Sequence, residues 1–373
     1  MIARRRLLIL SAAAAAGALA LPTGSYAQQK TIKIGFIGPL SGGNAHHGLA
    51  ARNGYQLAVR QANAANLPFK IEPVILDDAS DPPTGVNAAT KLVNDPAVVA
   101  AIGHWNSPVA LATTPVFNRS GVPFIVWGAI SPRVTEQNLP YVTRVTPTLV
   151  AENAPLAETI AKKLNVKSLV IVSDTSDYGK QNTVSFTDLF GKAGGKIVAA
   201  DAAPVGTTDF RPMLTKLKAS NAQGLYFGGV VTEAGIVRKQ MKEVGMNIPM
   251  YGISGIYDPK VIEIAGDAAE GTIAGVREAQ INPKTAAMIK AYEAQKFAEP
   301  HSHYTMFTYD AIGILVDVMK KHGTTDKEAL AKAIRAIKYD GVLGTTTFDS
   351  NGQTQVSVDI SLYVVKGGKW TKM

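Results

Sequence analysis

One arrangement of residues occurs twice in succession in this sequence, and it constrains the fold more than any other feature. Each copy has a short apolar strand, a turn and a Ser-Pro pair. The copies are 98–102 followed by Ser107-Pro108, and 123–127 followed by Ser131-Pro132. Serine is favoured at helix N-caps and proline at the first helical position, so each pair predicts a helix start. In a parallel sheet such turns share the edge where ligands bind, so we expect a ligand site between them.

The first copy carries the side chains best suited to hold a ligand. Trp105 and Asn106 stand in the turn before Ser107, and the indole offers an apolar wall beside the hydroxyl. The free N–H groups and the dipole of a helix N-terminus attract anions. Two interpretations of Ser107 therefore stand side by side. It caps a helix, or it also donates its hydroxyl to an anionic ligand.

Strands and amphipathic helices alternate along most of the chain, which is typical of doubly wound parallel sheets. Apolar runs at 31–37 and 71–76 precede the repeat as strands, and 141–145 follows it. The alternation restarts and continues to residue 276. A helical stretch and two strands, at 345–348 and 356–365, end the chain. Because 373 residues exceed what one core usually holds, we predict an α/β fold of two Rossmann-like lobes with a cleft between them.

Residues 1–27 have the layout of an export signal. Arg4-Arg5-Arg6 form a basic start, an Ala/Leu-rich stretch follows over 7–21, and Ser25-Tyr26-Ala27 is a small-x-small cleavage site. The arginines and the two leucines after them also approximate a twin-arginine signal. The sequence therefore predicts an exported, periplasmic protein and leaves the export route open.

The composition excludes several kinds of chemistry. The chain has no cysteine, so disulfides and thiol catalysis are excluded. The formal net charge of +9 is spread along the sequence without the basic–aromatic interleave that would indicate nucleic acid. Motifs for nucleotide, phosphate and zinc-protease sites are absent. We therefore expect no catalytic residue, no cofactor and no partner nucleic acid.

Two groups of polar residues have simpler explanations than a metal or an acid–base site. The pairs His46-His47 and His301-x-His303 have no acidic residue at ligand spacing, so we expect no metal. Asp77-Asp78 and Asp81 fall in a proline-rich turn just before a helix. Aspartates in such places are typical turn and capping residues.

Several short motifs, taken in order, resemble the periplasmic binding proteins of the branched-chain (hydrophobic) amino acid ABC importers. The motifs are IKIGFIGPLSG, LDDASDP, IGHWNSP, VPFIVWGAISPRVT, SDTSDYG, LYFGG, IAGDAAEGTIAG and FDSNG. Each one is weak alone, but their order and spacing are specific. Together they span nearly all of the sequence that follows the export signal.

The resemblance implies a type I periplasmic binding protein, in which three hinge crossings join two lobes, here near Pro147, Val276 and Thr345. Lobe 1 would contain residues 28–147 and 277–345, and lobe 2 residues 148–276 and 346–373. The implied function is the capture of a branched-chain amino acid, or a related apolar or aromatic acid, by lobe closure. The implied partners are that small ligand and a membrane ABC permease, with the protein itself a monomer.

The family's binding residues can be carried over one by one. The carboxylate-binding serine is Ser107 here, with Trp105 and Asn106 lining the pocket beside it. The backbone groups that meet the ligand come from Gly128 and Ile130, on either side of Ala129. The pocket aromatics are Tyr178 and Tyr304.

Four carried-over positions depart from the family pattern. A first-lobe tyrosine is His47 in this sequence, and a threonine that adds a hydroxyl is Ile130. A second-lobe tyrosine is Val230. The glutamate that holds the ligand's ammonium is Ser254.

The last of these departures bears on the ligand class. A buried ammonium that lacks a carboxylate partner costs about 3–5 kcal/mol. Glu233, Asp174 and Asp258 remain as acidic residues able to supply the charge from another position. If none of these three residues reaches the ligand, the sequence predicts that the ligands are apolar or aromatic acids without an α-ammonium.

Two other classes of function stay open at this point. The fold resembled here also serves cytoplasmic amide sensors and receptor ectodomains, but a sensor predicts no cleaved signal, or a membrane span after the domain. A secreted hydrolase needs a nucleophile and a base, and only Ser107 with His104 or His47 offers such a pair. No acidic residue beside His104 in the sequence is evident as its orienting partner.

The export signal gives a first prediction. We expect cleavage after Ala27 and recovery of the shortened protein from the periplasm, because the basic, apolar and small-residue regions stand in the required order. N-terminal sequencing of the protein purified from its host checks this. Recovery of Met1 from a cytoplasmic fraction would favour the sensor instead.

Overall fold

The computed structural model describes residues 29–65, 67–278, 281–356 and 359–373. The predicted export signal lies outside these residues. The first part of the chain forms β1 (Lys30–Gly38), α1 (Ala45–Ala64), β2 (Phe69–Asp77), α2 (Pro82–Val93), β3 (Val98–Gly103), α3 (Ser107–Arg119), β4 (Phe124–Val126), α4 (Arg133–Glu136) and β5 (Val142–Arg144).

The middle of the chain forms α5 (Leu149–Glu158), β6 (Ser168–Asp174), α6 (Asp177–Lys192), β7 (Lys196–Ala203), α7 (Arg211–Lys218), β8 (Gly224–Gly228), α8 (Val231–Glu243), β9 (Met250–Ile253), α9 (Pro259–Ala265) and β10 (Ile273–Glu278). The last part forms α10 (Pro283–Ala294), α11 (His303–His322), α12 (Lys327–Arg335), β11 (Tyr339–Gly341), β12 (Gly344–Thr346), β13 (Asp359–Lys366) and β14 (Lys369–Lys372).

The first lobe is a five-stranded parallel sheet in the order β2-β1-β3-β4-β5. Its central strand β3, VVAAIG, is buried at every position, which a parallel sheet requires because helices cover both faces. Helices α1 and α11 pack over one face, and α2 and α3 pack over the other. The predicted strand-turn-helix alternation is confirmed.

Helix α11 returns to the first lobe from far along the chain. It lies against α1, where Gly54 permits a close approach: a Cβ atom on Gly54 would lie 2.3 Å from the carbonyl oxygen of Thr305. The hydroxyl of Thr308 donates to the Ala51 carbonyl across the same contact, at 2.7 Å. The helical stretch therefore completes the first lobe.

The second lobe is a seven-stranded sheet in the order β14-β13-β10-β9-β8-β6-β7. Strands β6 to β10 are parallel, whereas β13 pairs antiparallel with β10 and β14 with β13. The doubly wound, two-lobed architecture is the one predicted.

The end of the chain differs in detail from the sequence expectation. The strand expected at 345–348 is β12, which pairs antiparallel with the unpredicted β11 in a separate ribbon. Phe348 and Val356 still pack against the first lobe's core, and Arg144 bridges to Gln353. The chain therefore changes sheets after Val356 rather than near Thr345, because apolar contacts hold this segment to the first lobe.

Two further observations concern the described part of the chain. None of its helices combines the length and apolar character needed to cross a membrane. Nor does it gather three or more His, Asp or Glu side chains in a group that could hold a metal ion.

Candidate ligand-binding site

A small cavity lies between the two lobes, where strands of both sheets end. The space between its walls, including the part open to solvent, is about 270 Å³. Its walls come from the segments after β3 and β4, from those after β6, β8 and β9, and from the start of α11. The lining residues are Trp105, Asn106, Ser107, Gly128, Ile130, Tyr178, Val230, Ser254, Gly255 and Tyr304.

Nine of the eleven predicted site residues line this one cavity; the exceptions are Ala129 and His47. Ala129 packs into the core on the far side of the first sheet. His47 stacks on the Trp105 ring with the centroids 4.8 Å apart. Burial lowers the pKa of His47 to about 3, aided by the charges of His46 and Arg277, so the ring is neutral near pH 7. His47 therefore packs against the Trp105 indole and lies outside the cavity lining.

Ser107 does not cap its helix, in contrast to the sequence expectation. Helix α3 already includes Ser107, and Asn106 precedes it in an extended conformation. The Ser107 Oγ atom instead accepts a hydrogen bond from the Ser131 N–H at 3.1 Å. Ser131 is likewise no cap, because its hydroxyl donates to Asp177 at 2.6 Å. The Ser107 proton has no acceptor among the described residues, so it is available to a ligand.

A buried arginine orients the loop between Gly128 and Ser131. Arg144 is fully buried and donates to the carbonyl oxygens of Ala129 at 3.2 Å and Ser131 at 2.5 Å. In a trans peptide the C=O and the following N–H point in opposite directions, so the Ile130 N–H points away from Arg144. That N–H has no partner in the described part of the chain. The loop therefore presents a donor beside Ser107.

The opposite wall is aromatic and small. The Tyr178 hydroxyl is buried and has no hydrogen-bond partner within the described residues. Burial raises the pKa of Tyr178 well above its ordinary value, so the hydroxyl keeps its proton. A Cβ on Gly255 would lie 2.5 Å from this hydroxyl oxygen, so only glycine leaves room for it. Val230 is half-buried and packs against the cores of both lobes.

Behind Ser254 lies a buried ion pair that the sequence did not point to. Arg277 and Glu152 are 1% and 0% exposed, and the Arg277 Nε meets the Glu152 carboxylate. The other Glu152 oxygen accepts the Ser254 N–H at 3.0 Å. One carboxylate oxygen thus accepts a hydrogen bond, while the other forms the ion pair with Arg277 and has no hydrogen-bond partner among the described residues. The charge of Glu152 is therefore already paired with Arg277.

The remaining donors of Arg277 link the two lobes. One guanidinium nitrogen bonds to the Thr146 hydroxyl at the first crossing. The other, Nη2, lies 3.4 Å from the Ser254 hydroxyl in the second lobe and 3.4 Å from the Tyr304 hydroxyl in the first. The guanidinium carbon also stands 5.5 Å from the centre of the Tyr304 ring. Arg277 thus forms a cationic support behind one wall of the cavity.

The three acidic residues considered as alternative ammonium partners do not line the cavity. Glu233 accepts the Gly206 N–H at 2.9 Å. Asp174 and Asp258 accept backbone N–H groups of their own turns, from Ser176 and Lys260. Their carboxylates therefore serve loops and helix starts.

Polar contacts join the lobes on both sides of the cavity. Asp177 of the second lobe accepts from Arg133 at 2.5 Å as well as from Ser131. On the other side the His47 ring nitrogen Nε2 lies 3.5 Å from the Asp258 carboxylate. These contacts bridge the two lobes on either side of the cavity.

The structure supplies one feature that a hydrolase would need, an acidic partner for His104, but not a second one, a contact between His104 and Ser107. His104 does have an acidic partner, since its Nδ1 lies 2.7 Å from the Asp78 carboxylate and both side chains are fully buried. However, His104 does not line the cavity, and it makes no hydrogen bond to Ser107. The pair instead fixes the turn after β3. Asp81 caps α2 through the Thr84 N–H, as predicted.

Comparison with known proteins agrees with this architecture. The model of a family described as periplasmic binding protein matches residues 31–369. The chain belongs to this family. It is 31% identical, over 89% of both chains, to a leucine-, isoleucine-, valine-, threonine- and alanine-binding protein of Pseudomonas aeruginosa.

Solved structures show the same relationship. The branched-chain amino acid transporter substrate-binding protein LivJ from Streptococcus pneumoniae, in complex with isoleucine, superposes with a TM-score of 0.81 at 27% identity. That match covers 92% of this chain and all of the other. A solute-binding protein from R. palustris in complex with benzoate shares the fold, with a TM-score of 0.79 at 23% identity and 92% and 95% coverage. The family resemblance inferred from the motifs is confirmed.

The ion pair gives a prediction about stability. We expect Glu152→Gln to lower the free energy of unfolding by about 3–5 kcal/mol, because it leaves the Arg277 guanidinium buried without a counter-charge. Urea denaturation of the ligand-free protein measures this.

The same helix provides a matched control. Glu158 pairs with Lys162 at the surface, where both side chains are 59% exposed. Glu158→Gln should change the free energy of unfolding by no more than about 0.5 kcal/mol. Equal effects of the two substitutions would show that the buried pair contributes no more than a surface pair.

Proposed function

We propose that this chain is the exported substrate-binding component of an ABC importer, and that it captures a small apolar carboxylate by closing its lobes and then delivers it to a membrane permease. Family membership supports the transport role, and the layout of residues 1–27 supports a periplasmic location. Closure needs no chemistry. It requires only that the ligand contacts favour the closed over the open arrangement.

The cavity's donors support a carboxylate ligand. The Ser107 hydroxyl, at the start of α3, and the Ile130 N–H, in the segment after β4, both lack acceptors among the described residues and line the same cavity. Backbone N–H groups and the dipole at a helix N-terminus add to their attraction for an anion. Trp105, Tyr178 and Val230 supply apolar surface for the rest of the ligand.

The observation that carries the ligand class is the absence of acidic residues from the described lining of the cavity. The one carboxylate behind the wall, Glu152, is already engaged by Arg277 and Ser254. An α-ammonium would be buried without a counter-charge. The proposed ligands are therefore apolar or aromatic acids without an α-ammonium, and the benzoate complex of the R. palustris protein illustrates that this fold can hold such an acid.

The role of Ser107 is testable by substitution. We expect Ser107→Ala to weaken carboxylate binding roughly 10- to 150-fold, because a hydrogen bond to a charged group contributes about 1.5–3 kcal/mol. Stability should fall by only about 1 kcal/mol, for the lost bond from Ser131. Calorimetric titration and thermal unfolding measure the two effects. Ser120→Ala, at the other end of α3, is the control and should change neither. Unchanged affinity with lowered stability would make Ser107 purely structural.

The ligand class is testable on the protein stripped of ligand by unfolding and refolding. Phenylacetate and 4-methylpentanoate should bind in the micromolar range. Leucine should bind about a hundred- to several-thousand-fold more weakly, because its ammonium lacks a partner. Isothermal titration calorimetry with the three compounds measures this. Micromolar leucine binding without heat from the two acids would instead identify an ordinary branched-chain amino acid receptor.

A further inference from the structure

The proposed function leaves one wall of the cavity unexplained. Ser254 and Tyr304 bring two hydroxyl groups to it, one from each lobe, and both lie 3.4 Å from the same nitrogen of Arg277. An apolar acid held only through its carboxylate would have no use for them. Their hydrogen-bonding state therefore bears on what the ligand carries besides a carboxylate.

The direction of these hydrogen bonds is fixed by chemistry. A guanidinium can only donate, so each hydroxyl accepts from Arg277 and keeps its own proton for another acceptor. Burial raises the pKa of Tyr304, so its hydroxyl stays protonated. If one hydroxyl donates to the other, one proton still remains. Among the described residues, the hydrogen bonds of these two hydroxyls are those that they accept from Arg277, and neither donates to a protein acceptor.

This wall therefore offers a hydrogen-bond donor polarised by the guanidinium of the Arg277–Glu152 pair. It suits an acceptor oxygen, whereas an ammonium would find no unpaired carboxylate there. The Tyr304 ring stands edge-on to Trp105, with the centroids 6.4 Å apart, and Trp105 is two residues before Ser107. The hydroxyl pair and Ser107 thus line the same small cavity.

Building on the proposed carboxylate site, we infer that the preferred ligand carries an acceptor oxygen, either carbonyl or hydroxyl, on the carbon next to its carboxylate. The carboxylate would lie at Ser107 and Ile130, and the second oxygen at Ser254 and Tyr304. Such 2-oxo or 2-hydroxy acids are the deaminated counterparts of apolar amino acids. Arg277 acts as a specificity-determining residue through the two hydroxyls that it polarises.

Four probes of one carbon skeleton test the inference by calorimetric titration: 4-methylpentanoate, its 2-oxo and 2-hydroxy derivatives, and leucine. We expect at least one oxygenated acid to bind about three- to tenfold more tightly than 4-methylpentanoate, which is the effect of one net hydrogen bond. The two oxygenated arms distinguish a carbonyl from a hydroxyl. Leucine should bind most weakly.

A double substitution locates the effect. Ser254→Ala with Tyr304→Phe removes both hydroxyls but keeps the aromatic ring and the Arg277–Glu152 pair. This variant should bind the oxygenated acids and 4-methylpentanoate with equal affinity. If the double variant no longer binds 4-methylpentanoate, the single substitution Tyr304→Phe is used in its place. This single variant should show a smaller preference for the oxygenated acid than the unsubstituted protein.

The outcomes separate the inference from the proposed function. Equal binding of 4-methylpentanoate and both oxygenated acids by the unsubstituted protein overturns the inference and leaves the carboxylate site standing. A preference that persists in the variants also overturns it. Tightest binding of leucine, or no binding of any of the acids, overturns the proposed ligand class as well.

Discussion

The buried pair between Arg277 and Glu152 is the interaction on which the site depends. Removing two charges from water costs several kcal/mol for each ion, and only good geometry with additional hydrogen bonds offsets this cost. The neighbours of the pair supply such hydrogen bonds, although the Arg277 Nε and one Glu152 oxygen have no hydrogen-bond partner in the described part of the chain. The Ser254 N–H completes one oxygen of Glu152, and the hydroxyls of Thr146, Ser254 and Tyr304 surround the guanidinium. The polar residues near the cavity are therefore part of the solvation of this pair.

A second buried arginine, Arg144, also orders a wall of the cavity, but its hydrogen-bond partners are uncharged. Arg144, at the end of β5, is solvated by two carbonyl oxygens of the Gly128–Ser131 loop, by Thr135 and by Gln353. Burial, with a contribution from the charge of Arg277, lowers its pKa to about 9, so it remains a cation near pH 7. Arg144 donates hydrogen bonds to two carbonyl oxygens of the loop, and the Ile130 N–H remains available to a ligand. Both arginines thus lie at strand ends where the chain passes between lobes, and each orders one wall of the cavity.

The sequence predicted the fold and most of the cavity because both depend on local patterns. The boundaries of strands, turns and helices can be predicted from apolar runs and from the Ser-Pro pairs or Gly-rich segments between them. The carboxyl ends of parallel strands lie at the same edge of the sheet whatever the side chains are. Trp105 and Ser107 could therefore be proposed from position, whereas Tyr178 was carried over from the family resemblance. The absence of an acidic residue at Ser254 was also visible in the sequence, and no other acidic side chain lines the cavity to replace it.

What the sequence could not supply are contacts between residues far apart in the chain. Arg277 and Glu152 are separated by more than a hundred positions, and neither stands in a recognisable motif. Two charged residues in apolar segments were the only available signal. The position of Ser107 inside its helix was missed for a similar reason, because the preceding Asn106 is also a suitable cap and only the bond from Ser131 decides the matter. The ribbon of β11 and β12 was missed because strands of three residues have no measurable periodicity.

Two polar contacts between the lobes bear on how closure is controlled. Outside the cavity, the Arg133–Asp177 pair includes an arginine that is 58% exposed, and surface pairs of this kind contribute about 0–1 kcal/mol. The His47–Asp258 contact is buried but joins a neutral ring to a carboxylate at 3.5 Å, longer than a good hydrogen bond. Neither contact closes the lobes strongly by itself.

The equilibrium between the open and closed arrangements is therefore governed by groups that contact both lobes at the cavity. These are the Val230 side chain, the Arg277–Tyr304 contact and the ligand between them. A ligand that completes the free donors of Ser107, Ile130 and Ser254 contacts both lobes at once, and such a ligand shifts the equilibrium toward the closed arrangement.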